Sequence, residues 1–392
     1  MDLDEFEWLL SDEGQTRLAQ ATTAVAAGES ELQVQSLLRR TTTAAQAATV
    51  LTQVDLRRRA AAKLGDLAGR LYFTRDALEQ ATRIRVATHR AGRMRAFGAR
   101  TLIDLGCGIG GDLIAAASAG IICAGVDQEP LRVAIAQANL DALGLPGAVK
   151  VADATTLDHT PFDIAFADPA RRSGAGRAFQ VEDWTPPWSW IVELLRRDAC
   201  VKVAPGIPHD LIPSGVEAEW VSEAGEVKEA ALWSGRTATA RRRATVISGG
   251  TGLATLTDEE DPGAEAVGVR EVGSFLYEPD GAVIRAGLVT AVAADVGGAL
   301  IDPKIAYVTS EQSFRTPFAR GYRVLEELPY REKPLKAALR ERGIGRLTIK
   351  KRGVDVAPDE LRKRLALTGD DEATLVLTRV ADRGTALLVA PL

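Results

Sequence analysis

The chain has 392 residues, of which 46% are hydrophobic and 26% are charged, values typical of a globular protein with two or three domains and a sizeable core. Its apolar runs are far shorter than the roughly 20 residues of a membrane-spanning helix, and its acidic start, Met1–Glu5, lacks the positive region of a secretory signal. The three cysteines stand singly and the three histidines are widely spaced, which excludes a disulfide framework and a zinc site. We therefore expect a cytoplasmic protein without a membrane anchor and without a metal.

Residues 1–97 are predicted to form a helical region. Apolar residues recur there at helical spacing, and the stretch contains no proline. Thr74 is well placed to cap the last helix, which we expect to continue through Glu79–Arg95. That helix is basic, and its His89 is expected to lie at the surface.

Residues 98–250 are predicted to form a parallel α/β sheet. Short apolar strands alternate there with helices of about 10 to 15 residues, a pattern typical of βαβ units. The expected strands are Thr101–Leu105, Ile121–Val126, Val149–Val151, Phe162–Ala167, Val201–Ala204, Glu217–Val221 and Ala244–Ile247, and the expected helices begin at Gly111 and cover Glu129–Leu143.

Two further regions follow the sheet. The segment 251–269 is rich in glycine, threonine and acids and is predicted to be a linker. Residues 270–392 have a mixed α+β pattern and are predicted to form a separate domain. The elements expected there are a helix at Val283–Asp295, strands at Ala306–Thr309 and Arg323–Glu326, a basic helix at Lys333–Arg342, a strand at Arg346–Lys350, a helix at Pro358–Leu367, and a hairpin of Thr374–Arg379 with Ala386–Val389.

Positive charge is concentrated in this last region. The net charge of the chain is −5, yet Arg331–Arg364 holds 12 Lys and Arg against 5 Asp and Glu. Phosphate binding depends on such a local basic face rather than on the overall charge. Two interpretations stay open. In one, the cations are the solvated faces of helices; in the other, Lys350, Lys351 and Arg352 bind a phosphate backbone without reading bases.

A glycine-rich turn, Asp104–Gly110, lies where the first strand ends and a helix begins. Ligands in open α/β sheets bind at this end of the strands, and glycines let the backbone approach them closely. Asp127 ends the second strand, where a carboxylate can accept both hydrogen bonds of a ribose diol. Asp153 follows the third strand and is placed to accept from an adenine amino group. The candidate cofactor-binding residues are Asp104, Gly106, Cys107, Gly108, Gly110, Asp127, Gln128, Asp153 and Ala154.

The glycines alone do not identify the cofactor. Gly106, Gly108 and Gly111 also satisfy the spacing of dinucleotide-binding proteins. The acid that precedes the glycines and the pair Asp168-Pro169 after the fourth strand favour S-adenosylmethionine (AdoMet) over a nicotinamide dinucleotide. Cys107 could suggest a covalent nucleophile, but its place in the turn favours a small packing residue.

At this point the sequence resembles the class I AdoMet-dependent methyltransferases. More narrowly, it is similar to a bacterial family, common in actinobacteria, that joins this fold to a C-terminal THUMP-like domain, and it is distantly similar to the trimethylguanosine synthases. The resemblance implies an α/β protein with an N-terminal helical region, a central Rossmann-like sheet and a THUMP-like α+β domain. It also implies an RNA substrate, because THUMP domains bind RNA. The stretches that carry it are Leu78–Thr82 with His89–Ala91, Gly106–Asp112, Asp168–Arg172 and Ile349–Gly353.

The residues after the fourth strand are the candidate catalytic residues. Relatives that methylate amines use a [Asp/Asn]-Pro-Pro-aromatic tetrad, in which the first side chain and a backbone carbonyl bind the amine and the aromatic ring stacks on the base. Here Asp168 and Pro169 match the tetrad, whereas the second proline and the aromatic residue are missing. Arg171 and Arg172 could stack on a base or bind a phosphate instead. Alternatively, Trp188 or its neighbour Trp184 could provide the stacking surface, although both could equally pack in the core.

The leading hypothesis is therefore an AdoMet-dependent methyltransferase that acts on a base nitrogen of a structured RNA, such as tRNA or rRNA. The alternatives are a small-molecule or protein methyltransferase, and a non-catalytic RNA-binding protein that keeps the fold. The sequence does not decide the oligomeric state, although it slightly favours a monomer.

Overall fold

The computed structural model describes residues 1–171, 184–250 and 252–392, with only the backbone at 170 and 171. The chain divides into two compact units. The first comprises Met1–Val203, Ile207–Val216 and Leu232–Ala238, and the second comprises Ala204–Gly206, Glu217–Ala231 and Thr239–Leu392.

Helices fill the first part of unit one, as predicted. Asp2, Ser30 and Thr43 each cap a helix by accepting from the backbone N–H three residues on, and the side chain at that position returns a bond to the cap. Phe6 and Leu9 are fully buried and anchor the first helix against its neighbours. The helices are α1 (Leu3–Leu10), α2 (Asp12–Ala26), α3 (Glu31–Leu38), α4 (Ala44–Leu64), α5 (Arg75–Gln80) and α6 (Ile84–Ala96).

The helix predicted to follow Thr74 is two helices. The Thr74 cap is confirmed, because its side chain accepts from the N–H of Ala77 over 3.2 Å. The expectation of an unbroken helix through Glu79–Arg95 is wrong, since α5 ends at Gln80 and Ala81 adopts an extended backbone. The physical reason is a tertiary contact: the ammonium of Lys63 binds the carbonyl oxygens that a continuing helix would have used.

A parallel sheet forms the centre of unit one, with the strand order β7-β4-β1-β2-β3. Strands β1, β4 and β7 are almost wholly buried, as expected of parallel strands with both faces covered. The elements are β1 (Thr101–Leu105), α7 (Gly111–Ser118), β2 (Ile122–Asp127), α8 (Pro130–Leu143), β3 (Gly147–Val151), β4 (Ile164–Ala167), β5 (Ala170–Arg171), β6 (Trp184–Thr185), α9 (Trp188–Leu194) and β7 (Ala199–Val203).

The second unit contains a separate seven-stranded sheet, with the order β13-β14-β12-β15-β18-β17-β16. Leucines of α13 and α14 pack on one face of it to form an apolar core. The elements that follow β7 are β8 (Glu217–Glu223), β9 (Glu226–Ser234), β10 (Arg242–Ile247), β11 (Leu253–Thr257), α10 (Ala264–Val267), β12 (Phe275–Pro279), α11 (Gly281–Ala286), α12 (Val289–Asp295), β13 (Ala299–Leu300), β14 (Val308–Ser310), β15 (Ala319–Leu328), α13 (Glu332–Glu341), β16 (Ile344–Lys351), α14 (Pro358–Leu365), β17 (Asp371–Val380) and β18 (Arg383–Pro391).

Two expectations differ from this list of elements. The helix predicted at Val283–Asp295 is two helices, because Gly287 adopts a left-handed backbone (φ 68°) that ends α11. The segment 251–269, predicted to be a linker, contains β11 and α10, and β11 pairs antiparallel with β10. Strands β9 and β12 were not predicted at all.

Candidate active site

The glycine-rich turn is built by backbone bonds from β2. The N–H groups of Gly106 and Cys107 both donate to the carbonyl of Val126, each over 2.9 Å. Gly106 and Gly108 have φ values of 120° and 54°, and a Cβ placed on either would meet no atom within 4 Å. The backbone of the turn is therefore left bare on its open side, as close approach to a ligand requires.

Gly110 has a different role from the other two glycines. Its φ of 84° is also left-handed, but a Cβ there would lie 3.3 Å from the backbone and side chain of Ala136 in α8. Gly110 thus permits close packing of the turn on α8, and it does not line the cavity described next.

A cavity of about 670 Å³ opens beside the turn, a size usual for a cofactor or small-molecule site. Its walls come from the ends of β1, β2 and β4, the residues after β3, and the break between α5 and α6. Pro169 and Trp188, like Gly110, do not line it. The predicted site residues that do are Asp104, Gly106, Cys107, Gly108, Asp127, Gln128, Asp153, Ala154 and Asp168.

Asp127 is fixed at the end of β2 by two backbone donors. Its Oδ2 accepts from the N–H of Gly108 and its Oδ1 from the N–H of Glu129, each over 3.0 Å. Each carboxylate oxygen keeps a second lone pair. The geometry therefore allows Asp127 to accept two further hydrogen bonds from a diol.

Asp153 is held by the residue two positions on. Its Oδ1 accepts from the hydroxyl and the backbone N–H of Thr155, over 2.7 and 2.9 Å. These bonds, the side-chain bond first, lower the pKa of Asp153. It is thus an anionic acceptor at neutral pH.

Asp104 is the most deeply buried acid of the cavity. Burial, followed by the charges of Asp112 and Asp168, raises the pKa of Asp104 well above its usual range. Its Oδ1 has no hydrogen-bond partner among the described residues. Leaving a buried acceptor without a donor costs free energy, so the site fits a ligand that brings a cationic or N–H group to this point.

Asp168 is joined to a network that the sequence analysis did not assemble. Lys202 donates to Oδ2 of Asp168 over 2.5 Å and to the hydroxyl of Thr82 over 3.1 Å. That hydroxyl donates in turn to Asp112 over 3.3 Å, and Arg90 pairs with the other oxygen of Asp112. Arg90 is buried, with only 3% of its surface exposed, whereas the side chain of Asp168 is 35% exposed, so the network runs from the protein interior to the wall of the cavity.

Strand register explains why Lys202 meets Asp168. Ala167 of β4 lies opposite Val201 of β7 in a parallel pair. Asp168, which directly follows β4, and Lys202, the next-to-last residue of β7, therefore lie side by side at the carboxyl ends of neighbouring strands. The position of Lys202 within the predicted strand Val201–Ala204 fits a lysine at the mouth of the site and a lysine at the strand edge equally well, whereas nothing local marks Thr82.

The side chain of Cys107 packs against neighbouring residues, which is the role that its position in the glycine turn favours. Burial, followed by the charges of Asp104 and Asp127, raises the pKa of the Cys107 thiol far above neutrality. Its side chain packs so closely against Gly125 that a Cβ there would lie 3.1 Å from it. A thiolate nucleophile is not formed under these conditions.

The segment after β6 brings two prolines to the cavity. Thr185, Pro186 and Pro187 line it, and β6 reaches this place by pairing antiparallel with β5, directly after Asp168-Pro169. Trp184 is buried and meets the half-buried Trp188 edge to face, with ring centroids 5.5 Å apart. Arg172 and the side chain of Arg171 lie outside the described residues.

The basic residues predicted on β16 lie in the second unit and have unlike surroundings. Lys350 donates to Glu278 over 2.5 Å and lies over the ring of Tyr322. The guanidinium of Arg352 lies 5.5 Å from the ring centre of Tyr307. Lys351 is exposed, with no ion pair in the part of the chain that the structure describes.

Comparison with known proteins identifies the family. An uncharacterized S-adenosylmethionine-dependent methyltransferase of Mycobacterium tuberculosis is 39% identical over 337 residues, which cover 83% of this chain and 90% of the relative. The same match is found in a second strain of that organism. The chain belongs to the S-adenosylmethionine-dependent methyltransferases. It is an enzyme with AdoMet as its cofactor, and the nicotinamide dinucleotide alternative is set aside.

Domain matches and a solved structure agree with the fold of this methyltransferase. Residues 319–391 match the family described as THUMP domain-like, and residues 2–60 match a domain of unknown function (DUF8688). The crystal structure of a proposed methyltransferase from Porphyromonas gingivalis aligns with a TM-score of 0.76 and 24% identity, over 96% of this chain and 98% of that one. The predicted fold class, a methyltransferase sheet with a THUMP-like α+β domain, is confirmed.

The described residues contain neither a candidate membrane span nor a candidate metal cluster. In the described residues, no helix is both long and apolar enough to cross a bilayer. Within the same residues, no group of three or more His, Cys, Asp and Glu side chains is arranged to hold a metal ion.

Proposed function

We propose that this methyltransferase modifies a base nitrogen of a structured RNA, such as tRNA or rRNA, and that Asp168 binds the acceptor group. One observation carries the proposal about the acceptor. Asp168 lies on the wall of the AdoMet cavity with one oxygen taken by Lys202, which leaves its other oxygen for an N–H of the substrate.

The cofactor residues are proposed from the donors and acceptors at the site. AdoMet supplies a methyl group on a sulfonium. Asp127 would hold the ribose diol, and Asp153, with Gln128 and Ala154, would hold the adenine. The bare backbone of Gly106–Gly108 and the unpartnered acceptor of Asp104 suit the methionine part, whose amino group is cationic.

Methyl transfer depends mainly on holding the acceptor in line with the methyl group. Asp168 would accept an N–H of the base, and Pro169 would hold the adjacent backbone so that a carbonyl accepts another. Trp188, with Arg171 and Arg172, stays the proposed source of the stacking contact that the missing aromatic residue would give. Pro186 and Pro187 form the apolar wall next to this place.

The RNA contact is proposed for the THUMP-like domain. Lys333, Lys336 and Arg340 recur at helical spacing and share one face of α13, which we call the α13 basic face. Lys336 and Arg340 donate to carbonyl oxygens at the end of α14, and none of the three has a carboxylate partner among the described residues. The α13 basic face and Lys351 therefore have positive charge that can bind phosphates. Lys350 is instead paired with Glu278, and Arg352 is stacked on Tyr307.

One observation favours the alternative, a small-molecule or protein acceptor. Much of the positive charge of this domain is neutralised locally, and a phosphate would have to compete for it. The ion pairs concerned are Arg342–Glu326, Arg346–Glu372, Arg362–Asp359, Lys363–Glu360 and Arg364–Glu332.

Transfer of labelled methyl groups from AdoMet to total RNA of a strain that lacks the gene tests the proposal. We expect label in RNA with the wild type and at least a hundredfold less with Asp168→Ala, while both proteins bind AdoMet equally. RNA binding should weaken steeply with salt, because phosphate contacts release counterions. AdoMet binding without any label in RNA, but with label in a small-molecule or protein extract, would establish the alternative.

A further inference from the structure

A short segment without helix or strand, Leu71–Phe73, lies between the N-terminal helices and α8. Its peptide groups are bound by side chains instead of a neighbouring strand. Gln53 of α4 donates to the carbonyl of Phe73 over 2.6 Å and accepts from its N–H over 3.1 Å. Asn139 of α8 binds Tyr72 in the same two-sided way, over 3.1 and 2.7 Å. We call Leu71–Phe73 the clamped segment.

Asn139 connects the clamped segment to the glycine turn. Its Nδ2 also donates to the carbonyl of Ile109 over 2.9 Å. An amide has two N–H donors, so Asn139 uses both of them, one on each side. Asn139 and Gln53 are 1% and 0% exposed, so water cannot replace either of them. The place of the Ile109 carbonyl in the turn therefore depends on the clamped segment, and through Gln53 on α4.

A second connection runs from α4 to the wall of the AdoMet cavity. Lys63, at the end of α4, donates to the carbonyls of Leu78 and Glu79 over 2.7 and 2.6 Å, and to that of Ala81 over 3.3 Å. These three bonds fix the break between α5 and α6. Residues 80–82 of that break line the cavity, and Thr82 belongs to the network of Asp168 and Lys202.

We propose that the N-terminal helices, which include the domain of unknown function, are a brace for the AdoMet site. The clamped segment fixes the glycine turn, and Lys63 fixes the wall at residues 80–82. AdoMet affinity then depends on Gln53 and Lys63, neither of which lines the cavity. By linkage, bound AdoMet makes the N-terminal helices more rigid in return. The inference rests on the proposed place of AdoMet in this cavity and is independent of the acceptor.

Calorimetric titration of the full chain with AdoMet tests the brace. Gln53→Leu and Lys63→Met should each weaken AdoMet binding at least tenfold, because the turn or the wall is no longer held. Val34→Ala, which leaves a cavity where α3 packs, is the matched control. It should lower the unfolding temperature but change the affinity for AdoMet less than twofold. Folded Gln53→Leu and Lys63→Met proteins with wild-type affinity would overturn the proposal.

If Gln53→Leu does not fold, hydrogen exchange of the wild-type protein tests the proposal instead. Saturating AdoMet should slow exchange at the amides of α4 and of the clamped segment, none of which lines the cavity, as well as at those of the glycine turn. Slowing at the turn alone, with exchange in α4 and the clamped segment unchanged, would show that the N-terminal helices do not respond to the cofactor and would refute the brace.

Discussion

Replacing Asp127 by alanine is expected to weaken AdoMet binding by roughly two orders of magnitude. Both oxygens of Asp127 already accept a backbone N–H over 3.0 Å, which aims their remaining lone pairs at the cavity. Two charge-assisted hydrogen bonds to the ribose, at about 1.5 kcal/mol each, amount to about 3 kcal/mol, and every 1.4 kcal/mol is about tenfold in affinity.

Calorimetry can separate the ribose contact from support of the glycine turn. The wild type should bind an AdoMet analogue that lacks one ribose hydroxyl more weakly than AdoMet. Asp127→Ala should bind the two alike, because it no longer distinguishes the hydroxyl. Asp127→Asn, which keeps an acceptor but loses the charge, should fall between the two proteins. A loss below threefold for Asp127→Ala, or an unchanged preference for the intact ribose, would refute the proposed contact.

Three further changes test the remaining geometry. Gly110→Ala should lower the free energy of unfolding by about 2 kcal/mol, because a left-handed φ is strained for alanine and the new Cβ would press on α8. Gly111→Ala is the control and should not destabilise the protein, because a Cβ at Gly111 would meet no atom within 4 Å. Equal urea midpoints for the two variants would contradict this prediction. Because burial raises the pKa of Asp104, the protein without cofactor should lose stability as the pH rises through that higher pKa. Asp104→Asn should remove this dependence, so that its stability in urea changes less with pH than that of the wild type. The same pH dependence in the variant as in the wild type would contradict the prediction. Lys202→Met should reduce methyl transfer at least tenfold with AdoMet affinity nearly unchanged, because Asp168 loses its fixed orientation. Lys202→Arg should restore part of the activity. Full activity of Lys202→Met would exclude a role of Lys202 in positioning Asp168.

The parallel sheet could be predicted because its pattern is local. Strand β1 was predicted with the bounds it has in the structure, and the start of α7 and the end of α8 also match. The sequence does not predict β9 because three of its first four residues are charged, and the strand is recognised only from its burial in a sheet. Likewise, the break before α6 depends on Lys63, a residue that lies 18 positions before Ala81.

For the site, the sequence identified those residues that share a fixed place relative to a strand end. Asp104, Asp127, Asp153 and Asp168 each lie within two residues of the end of a strand, and the structure brings all four to one cavity. Their states were not predictable, because the pKa of Asp104 depends on burial and on neighbouring acids. The pairing of the C-terminal cations could not be predicted either. Lys350 binds Glu278, which lies 72 positions away in the sequence.

The sequence by itself thus predicted the fold class, the cofactor and the acids near the strand ends, because the acids beside the glycine turn and the alternation of strands and helices are properties of neighbouring residues. The tertiary structure decided which of these groups are held, paired or buried. Lys202 beside Asp168 follows from strand register, and the clamp of Gln53 and Asn139 on Leu71–Phe73 follows from helix packing. Such contacts join distant parts of the chain, and their energies depend on burial, which no local pattern contains.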